Sequence, residues 1–367
     1  MIQRANAQAT AASAHADSNR TLDVLVIGTG FSGVCVGIKL LEKGISNFRI
    51  YEKSQGIGGT WYDNTYPGAA CDVPSHFYCY SFEPNPNWSR IYSPRAEIQS
   101  YIEGCVDKYG LRPYIVHSAT VVEIRLDEQA GLWRVTFADG NRVFARHVSN
   151  GSGGLHKPSI PDFPGRDTFS GAAMHTARWD HTVDLSNKRV AVIGSAASAI
   201  QVIPEVARIA TAVSVFQRTP NYIAPRGDRP YTDSEKQRFA RWPWLLRLYR
   251  WFIYKRLDIL LFPITKKTSV VYMVEQMVQF IIRMIEAAGE NSLITVKRSA
   301  QEAYNARLQA ALDDSVWASG CNSWYITDSG KITTLYPNNA AAFKRELAGV
   351  SLQDFEFIDA ERANQAA

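Results

Sequence analysis

Three groups of residues in the 367-residue chain have the types and spacing to do chemistry. Gly28, Gly30 and Gly33 form a G-x-G-x-x-G run, and Glu52 follows 24 positions after Gly28. Gly28 permits a tight turn, Gly30 lets the backbone approach a pyrophosphate, and Gly33 lets a helix lie close on a strand. Glu52 is placed to accept from a ribose hydroxyl. Together they predict a dinucleotide site, and the acid repels a 2′-phosphate, which favours FAD or NAD over NADP. A second run starts at Gly194 but carries Ala196 and Ala199 at the second and third glycine positions, and Arg218 in place of the acid. A methyl at the helix-packing position costs little, whereas one at the close-approach position holds a pyrophosphate away. The Arg218 guanidinium suits a 2′-phosphate, so this site is expected to prefer NADP. Between the two runs lies 169-FSGAAMHTARWD-180, with Phe169, Gly171, His175, Trp179 and Asp180 at fixed offsets. His175 is open to a conformational, a nucleotide-contacting or a proton-transfer role.

The elements that position these groups follow from the apolar pattern. Residues 22–27 are a short β-branched strand, 34–44 a helix ending on a glycine, and 48–52 a second strand closing on Glu52. Residues 189–194, 195–210 and 212–220 repeat strand, helix and strand around Gly194. Between the two lie a predicted helix at 95–110, a hairpin at 120–128 and 131–140, and a strand from 142 that re-enters a glycine turn before 154. The run 55–82 is too rich in glycine, proline and aromatics for a regular element. Its glycines and Trp61 suit either a cofactor face or a structural loop. Proline-rich 157–165 reads as a linker. Beyond Thr219 no further βαβ unit returns, and 234–260, 268–289 and 301–312 read as helical. The fold class is therefore α/β, with one and a half nucleotide-binding domains legible.

Composition sets outer bounds. Forty-six per cent apolar and 20 % charged residues argue for a folded core, and a net charge of +5 fits an anionic cofactor without any basic block suited to nucleic acid. Cys35, Cys71, Cys79, Cys105 and Cys321 are odd in number and hold no CxxC pair, which points to reduced cytosolic thiols and no metal site. Residues 1–20 read as a disordered tail without a secretory apolar region, and no run reaches transmembrane length, so a cytoplasmic protein is expected. The segment 241–264 mixes bulky apolar residues with five basic ones. It is open to internal packing, peripheral membrane contact or a partner surface.

With both turns placed, the chain resembles the class B flavoprotein monooxygenases, and most of all the Baeyer–Villiger monooxygenases. The likeness rests on 28-GTGFSG-33, 58-GGTWYDNTYPGAACDVPSHFYCYSF-82, the Phe-Gly-His-Trp-Asp spacing of 169–180, 215-VFQRTPNY-222 and 316-VWASGCNSWY-325. The resemblance implies two Rossmann-like domains: a discontinuous FAD domain over 21–154 and 265–367, and an incomplete NADP domain over 155–264. Gly28, Gly30, Phe31, Gly33, Glu52, Gly59, Thr60, Trp61 and Asp72 would surround FAD. Gly194, Ser195, Arg218 and Thr219 would take NADPH, while Asp72, His175 and Trp179 would serve the catalytic cycle, the last two by coupling the linker to domain rotation. The implied reaction inserts one oxygen atom of O2 beside a ketone carbonyl through a C4a-peroxyflavin, giving an ester or lactone. The family pattern also implies a segment between Ile264 and Thr268, with its active-site arginine, that this sequence lacks. That gap keeps open a non-catalytic flavin-binding or interaction paralogue, or an uncoupled NADPH oxidase, and apolar surface left uncovered on 242–252 and 269–282 would favour self-association.

Overall fold

In the computed structural model the chain is described over residues 21–127, 130–154, 158, 160–218, 223, 225–261, 269–289, 292–313, 331–332 and 336–359. In chain order, β1 (Leu22–Ile27), α1 (Phe31–Glu42), β2 (Phe48–Tyr51), α2 (Thr60–Asp63) and α3 (Arg95–Lys108) come first. They are followed by β3 (Ile115–Val116), β4 (Val121–Asp127), β5 (Leu132–Phe137) and β6 (Arg142–Asn150). Next are β7 (Arg189–Ile193), α4 (Ala197–Ala207), β8 (Ala212–Phe216), α5 (Asp233–Arg241) and α6 (Pro243–Arg256). The remainder comprises α7 (Val270–Ala288), β9 (Ser292–Val296), α8 (Arg298–Asp313), α9 (Ala340–Ala348) and β10 (Phe355–Asp359). Two compact units result, one from residues 1–59, 102–154 and 254–367, the other from 60–101 and 155–253.

The first unit is built on a six-stranded sheet of order β3-β2-β1-β6-β5-β4. β1 runs parallel to β2 and β6, and β4 and β5 are antiparallel additions at one edge. β1 is central and covered on both faces, which is why it reads as a continuous apolar run: Leu22, Val24, Leu25 and Val26 are fully buried. Leu22, Leu25, Tyr51, Val116, Val135, Phe137, Val143 and Ala145 form a single buried cluster in this unit. α1 contributes Val34, Cys35, Ile38 and Leu40, and α7 packs against it. Burial pushes the Cys35 thiol far above its usual range, so Cys35 serves as a small apolar core residue.

In this unit α9 is fixed at both ends by charge. The Asp258 carboxylate accepts from the Ala340 amide at its start, and Arg283 donates to the Leu347 carbonyl at its end, each sign complementing the helix dipole. β9 and β10 pair antiparallel from Val296↔Phe355 to Ser292↔Asp359, a ribbon with no counterpart in the sequence pattern.

The second unit holds a parallel pair, β7 and β8, crossed by α4. Tyr66, Ala69, Val202 and Val206 form its cluster, with Trp179, Leu185, Val190 and Val213 packed on it. On α6, Leu246 and Ile253 are buried, whereas Trp244, Leu248, Trp251 and Phe252 are more than half exposed. No helix among the described residues is long and apolar enough to cross a membrane.

Candidate nucleotide sites

In the first unit the turn after β1 is closed by backbone approach alone. Gly28 has φ +89, a conformation side chains disfavour, and its amide donates to the Tyr51 carbonyl at 2.8 Å, which ties the turn to the end of β2. A Cβ on Gly33 would stand 1.8 Å from the Gly28 oxygen, so the first turn of α1 tolerates only hydrogen there. Gly151, just past β6, completes the contact: its Cβ would meet the Ile27 oxygen at 2.7 Å and the Gly33 nitrogen at 3.2 Å. Gly30 caps α1 in an extended conformation and lies against Gly59, whose Cβ would be 3.0 Å from the Gly30 Cα. Phe31 is buried on the first turn of α1.

Glu52 is 3 % exposed at the end of β2 and is already engaged. Its Oε2 accepts from both the Thr29 amide (2.8 Å) and the Thr29 hydroxyl (2.7 Å), and its Oε1 accepts from the Ser54 amide (2.8 Å). The structure therefore brings Gly28, Gly30, Gly33, Glu52 and Gly59 together. It adds Thr29 and Gly151, which sequence reasoning missed. Thr29 sits inside the motif at a position with no assigned role, whereas the glycine turn after β6 signalled Gly151 without fixing the residue. Backbone amides at a helix start, no side chain on the approach, and an acid at the adjacent strand end form a donor set that fits the adenosine and pyrophosphate of a dinucleotide.

The second turn is made differently. Gly194 has φ +108, but a Cβ there would meet nothing within 4 Å, so this glycine is needed for its backbone conformation and not for space. Its amide donates to the Phe216 carbonyl at 2.8 Å, which joins the ends of β7 and β8. Arg218 follows two residues later and is exposed. Ala196 caps α4 and is exposed, whereas Ala199 is buried on the helix, its methyl accommodated where the first site admits none. Ser195 lies between Gly194 and this cap, and Thr219 lies outside the described residues.

The fixed-offset stretch before β7 resolves into separate physical tasks. The Phe169 ring folds over Gly171, where a Cβ would come within 2.5 Å of it. His175 caps the short 3-10 turn Thr176–Arg178, its Nδ1 accepting from the Ala177 amide at 3.1 Å. Burial and then the Arg178 charge hold its pKa below the usual histidine value, so the ring is neutral near pH 7. Trp179 packs on the α4 cluster, and Asp180 accepts from the Thr182 amide and hydroxyl.

The loop that follows Gly59 is anchored within the second unit. Thr60 starts α2 and is exposed; Trp61 donates from Nε1 to the Tyr78 hydroxyl at 3.2 Å and meets that ring edge-on. Asp72 is exposed beside buried Cys71, whose carbonyl accepts from Arg226. Gln201 of α4 binds both backbone groups of Ala70, donating to its carbonyl at 2.9 Å and accepting from its amide at 3.4 Å. The Tyr66 hydroxyl donates to the same Gln201 at 2.8 Å, and a Cβ on Gly68 would stand 2.5 Å from the Gln201 carbonyl oxygen. The gap between Ile264 and Thr268 and the tail motif 316–325 lie outside the described residues.

Comparison with known proteins places this geometry. A family model described as flavin-binding monooxygenase-like matches residues 21–235. A Baeyer–Villiger monooxygenase of Pseudomonas aeruginosa is 43 % identical over 239 residues, covering 65 % of this chain and 45 % of that protein. An oxidized steroid monooxygenase bound to NADP superposes with TM-score 0.58 at 37 % identity, over 65 % of this chain and 45 % of the other. A complex of OTEMO with FAD and NADP reaches TM-score 0.77 over 92 % of this chain and 99 % of the other; at 19 % identity this likeness is one of fold. The chain spans about half the length of the curated relatives it matches. With 215 of its 367 residues under one family model and two βαβ turns built as described, the chain belongs to the flavin-binding monooxygenase-like family, class B flavin monooxygenases related to the Baeyer–Villiger enzymes.

Proposed function

We propose that the protein is an FAD- and NADPH-dependent monooxygenase that inserts one oxygen atom of O2 beside a ketone carbonyl, giving an ester or lactone. The observation that carries the reading is the first turn, where Gly28, Gly33 and Gly151 close on one another with no room for a methyl and Glu52 stands buried at the β2 end. This cradle would hold FAD by the α1 amides and Glu52. When bound, the flavin would supply the redox and oxygen chemistry, with NADPH as the two-electron donor. The residues of this chain bind and orient. Arg218 would take the 2′-phosphate of NADPH, and the capping hydrogen bond of His175 favours a conformational role over proton transfer. The NADP-bound relative at 37 % identity supports the choice of nucleotide.

A second reading, a flavin-binding paralogue without turnover, is favoured by Ala196, whose methyl occupies the close-approach position of the second turn. Purified protein separates the two: a flavin spectrum with NADPH oxidation that rises on adding a ketone, and ester product, supports the enzyme. A protein that cannot be reconstituted with FAD would defeat it, and NADPH oxidation yielding only hydrogen peroxide would mark an uncoupled oxidase. Arg218→Ala is expected to weaken NADPH binding about tenfold or more while leaving NADH binding unchanged, as read by titration of each nucleotide.

A further inference from the structure

The hydrogen bonds around Glu52 carry a consequence for ligand selection, which rests on the reading of the first turn as an FAD cradle. An ionised carboxylate offers about four lone-pair sites, two on each oxygen. Among the described residues Oε2 accepts twice from Thr29, through its amide at 2.8 Å and its hydroxyl at 2.7 Å, and is filled. Oε1 accepts once, from the Ser54 amide at 2.8 Å, and keeps one site. Thr29 and Glu52 are 0 % and 3 % exposed, so the pair is held within the protein and water does not compete for the Thr29 hydroxyl.

We propose that Thr29 is a positioning residue that occupies Oε2 of Glu52, so that the carboxylate recognises the adenosine ribose of FAD through one hydroxyl only, at Oε1. The residue is fixed for this task by the turn itself. Thr29 stands between Gly28 and Gly30, its carbonyl accepts from the Gly58 amide at 3.2 Å, and its amide and hydroxyl both point to the same oxygen. Removing the hydroxyl would free one site on Oε2, and the carboxylate would then be able to turn and meet the ribose diol less selectively.

The test uses the full chain, FAD, and two FAD analogues lacking the 2′- or the 3′-hydroxyl of the adenosine ribose, with affinities read by flavin fluorescence. The wild-type protein should discriminate against one analogue by about tenfold and against the other by less than about twofold. Thr29→Val, which keeps the side-chain shape, should collapse that difference to within about twofold, and Thr29→Ser, which restores the hydroxyl, should recover it. Equal discrimination against both analogues in the wild type would overturn the proposal, because Glu52 would then be holding both hydroxyls. So would a Thr29→Val protein that weakens all three ligands by the same factor, which is the outcome of a purely structural role. A wild-type protein that binds none of the three would instead overturn the flavin reading itself, and this proposal with it.

Discussion

Gly33→Ala is expected to destabilise the first unit by about 3 kcal/mol or more and to abolish retention of flavin. The new Cβ would lie 1.8 Å from the Gly28 oxygen and 2.9 Å from its carbon, and both are backbone atoms with no rotamer that gives way. Relief requires α1 to move off β1, which separates the helix-start amides from the turn they share with Glu52. The matched control is Gly44→Ala, at the end of the same helix. Gly44 has φ +76 but nothing within 4 Å of its Cβ, so that change carries only left-handed strain, about 1 kcal/mol. Thermal melts should place the Gly33 variant roughly 5–10 °C below wild type and well below the Gly44 variant. Equal midpoints would refute the argument from collision.

The second large effect is a loss of stability in acid. His76 is 1 % exposed, edge-on to the rings of Tyr231, Phe239 and Tyr249 at 4.8–5.6 Å. Burial, and then the nearby Arg250 guanidinium, push its pKa down to about 4, and the Asn85 backbone and Glu235 only partly oppose this. The folded pKa lies below the unfolded value near 6.5, so between the two the unfolded chain binds the extra proton. The stabilisation is thus complete above pH 6.5 and falls as the pH drops through the window to about 4, by roughly 3 kcal/mol in total. His147 and His175, both held below the usual histidine value, act in the same direction. Urea midpoints from pH 7 to pH 4 should therefore decline steeply for wild type and much less for His76→Phe. Parallel declines would show that His76 is not the group responsible.

The first βαβ unit was legible because its signals are local. A buried strand, a glycine turn, a helix and an acid fall within about thirty residues, and each glycine marks a close approach that a motif encodes. The use of Glu52 was not legible: strand periodicity places its carboxylate at the end of β2 but says nothing of a threonine in the turn bending back to it. Gly171 and His175 illustrate a different limit. Their spacing identified a relationship, while their physical tasks, room for the Phe169 ring and a cap for a 3-10 turn, depend on a local backbone conformation that residue types and spacing alone do not set. The β9–β10 ribbon joins residues about sixty positions apart, and no local pattern specifies such a pairing. His76 belongs with these. Its aromatic neighbours come from α5, α6 and the segment before them, far along the chain.

The link between Gln201 and Ala70 bears on how such a protein can be recombined. One amide side chain reads both the donor and the acceptor of a backbone unit 131 residues away, and Tyr66 and Gly68 are fitted to the same helix. The stretch 60–101 thus belongs to one compact unit with 155–253, although 102–154 intervenes in the sequence. A chimaera cut at residue 155, the natural boundary on paper, would graft a foreign helix under a loop shaped for this one. A crossover that carries both stretches from one parent keeps the lock and its key together.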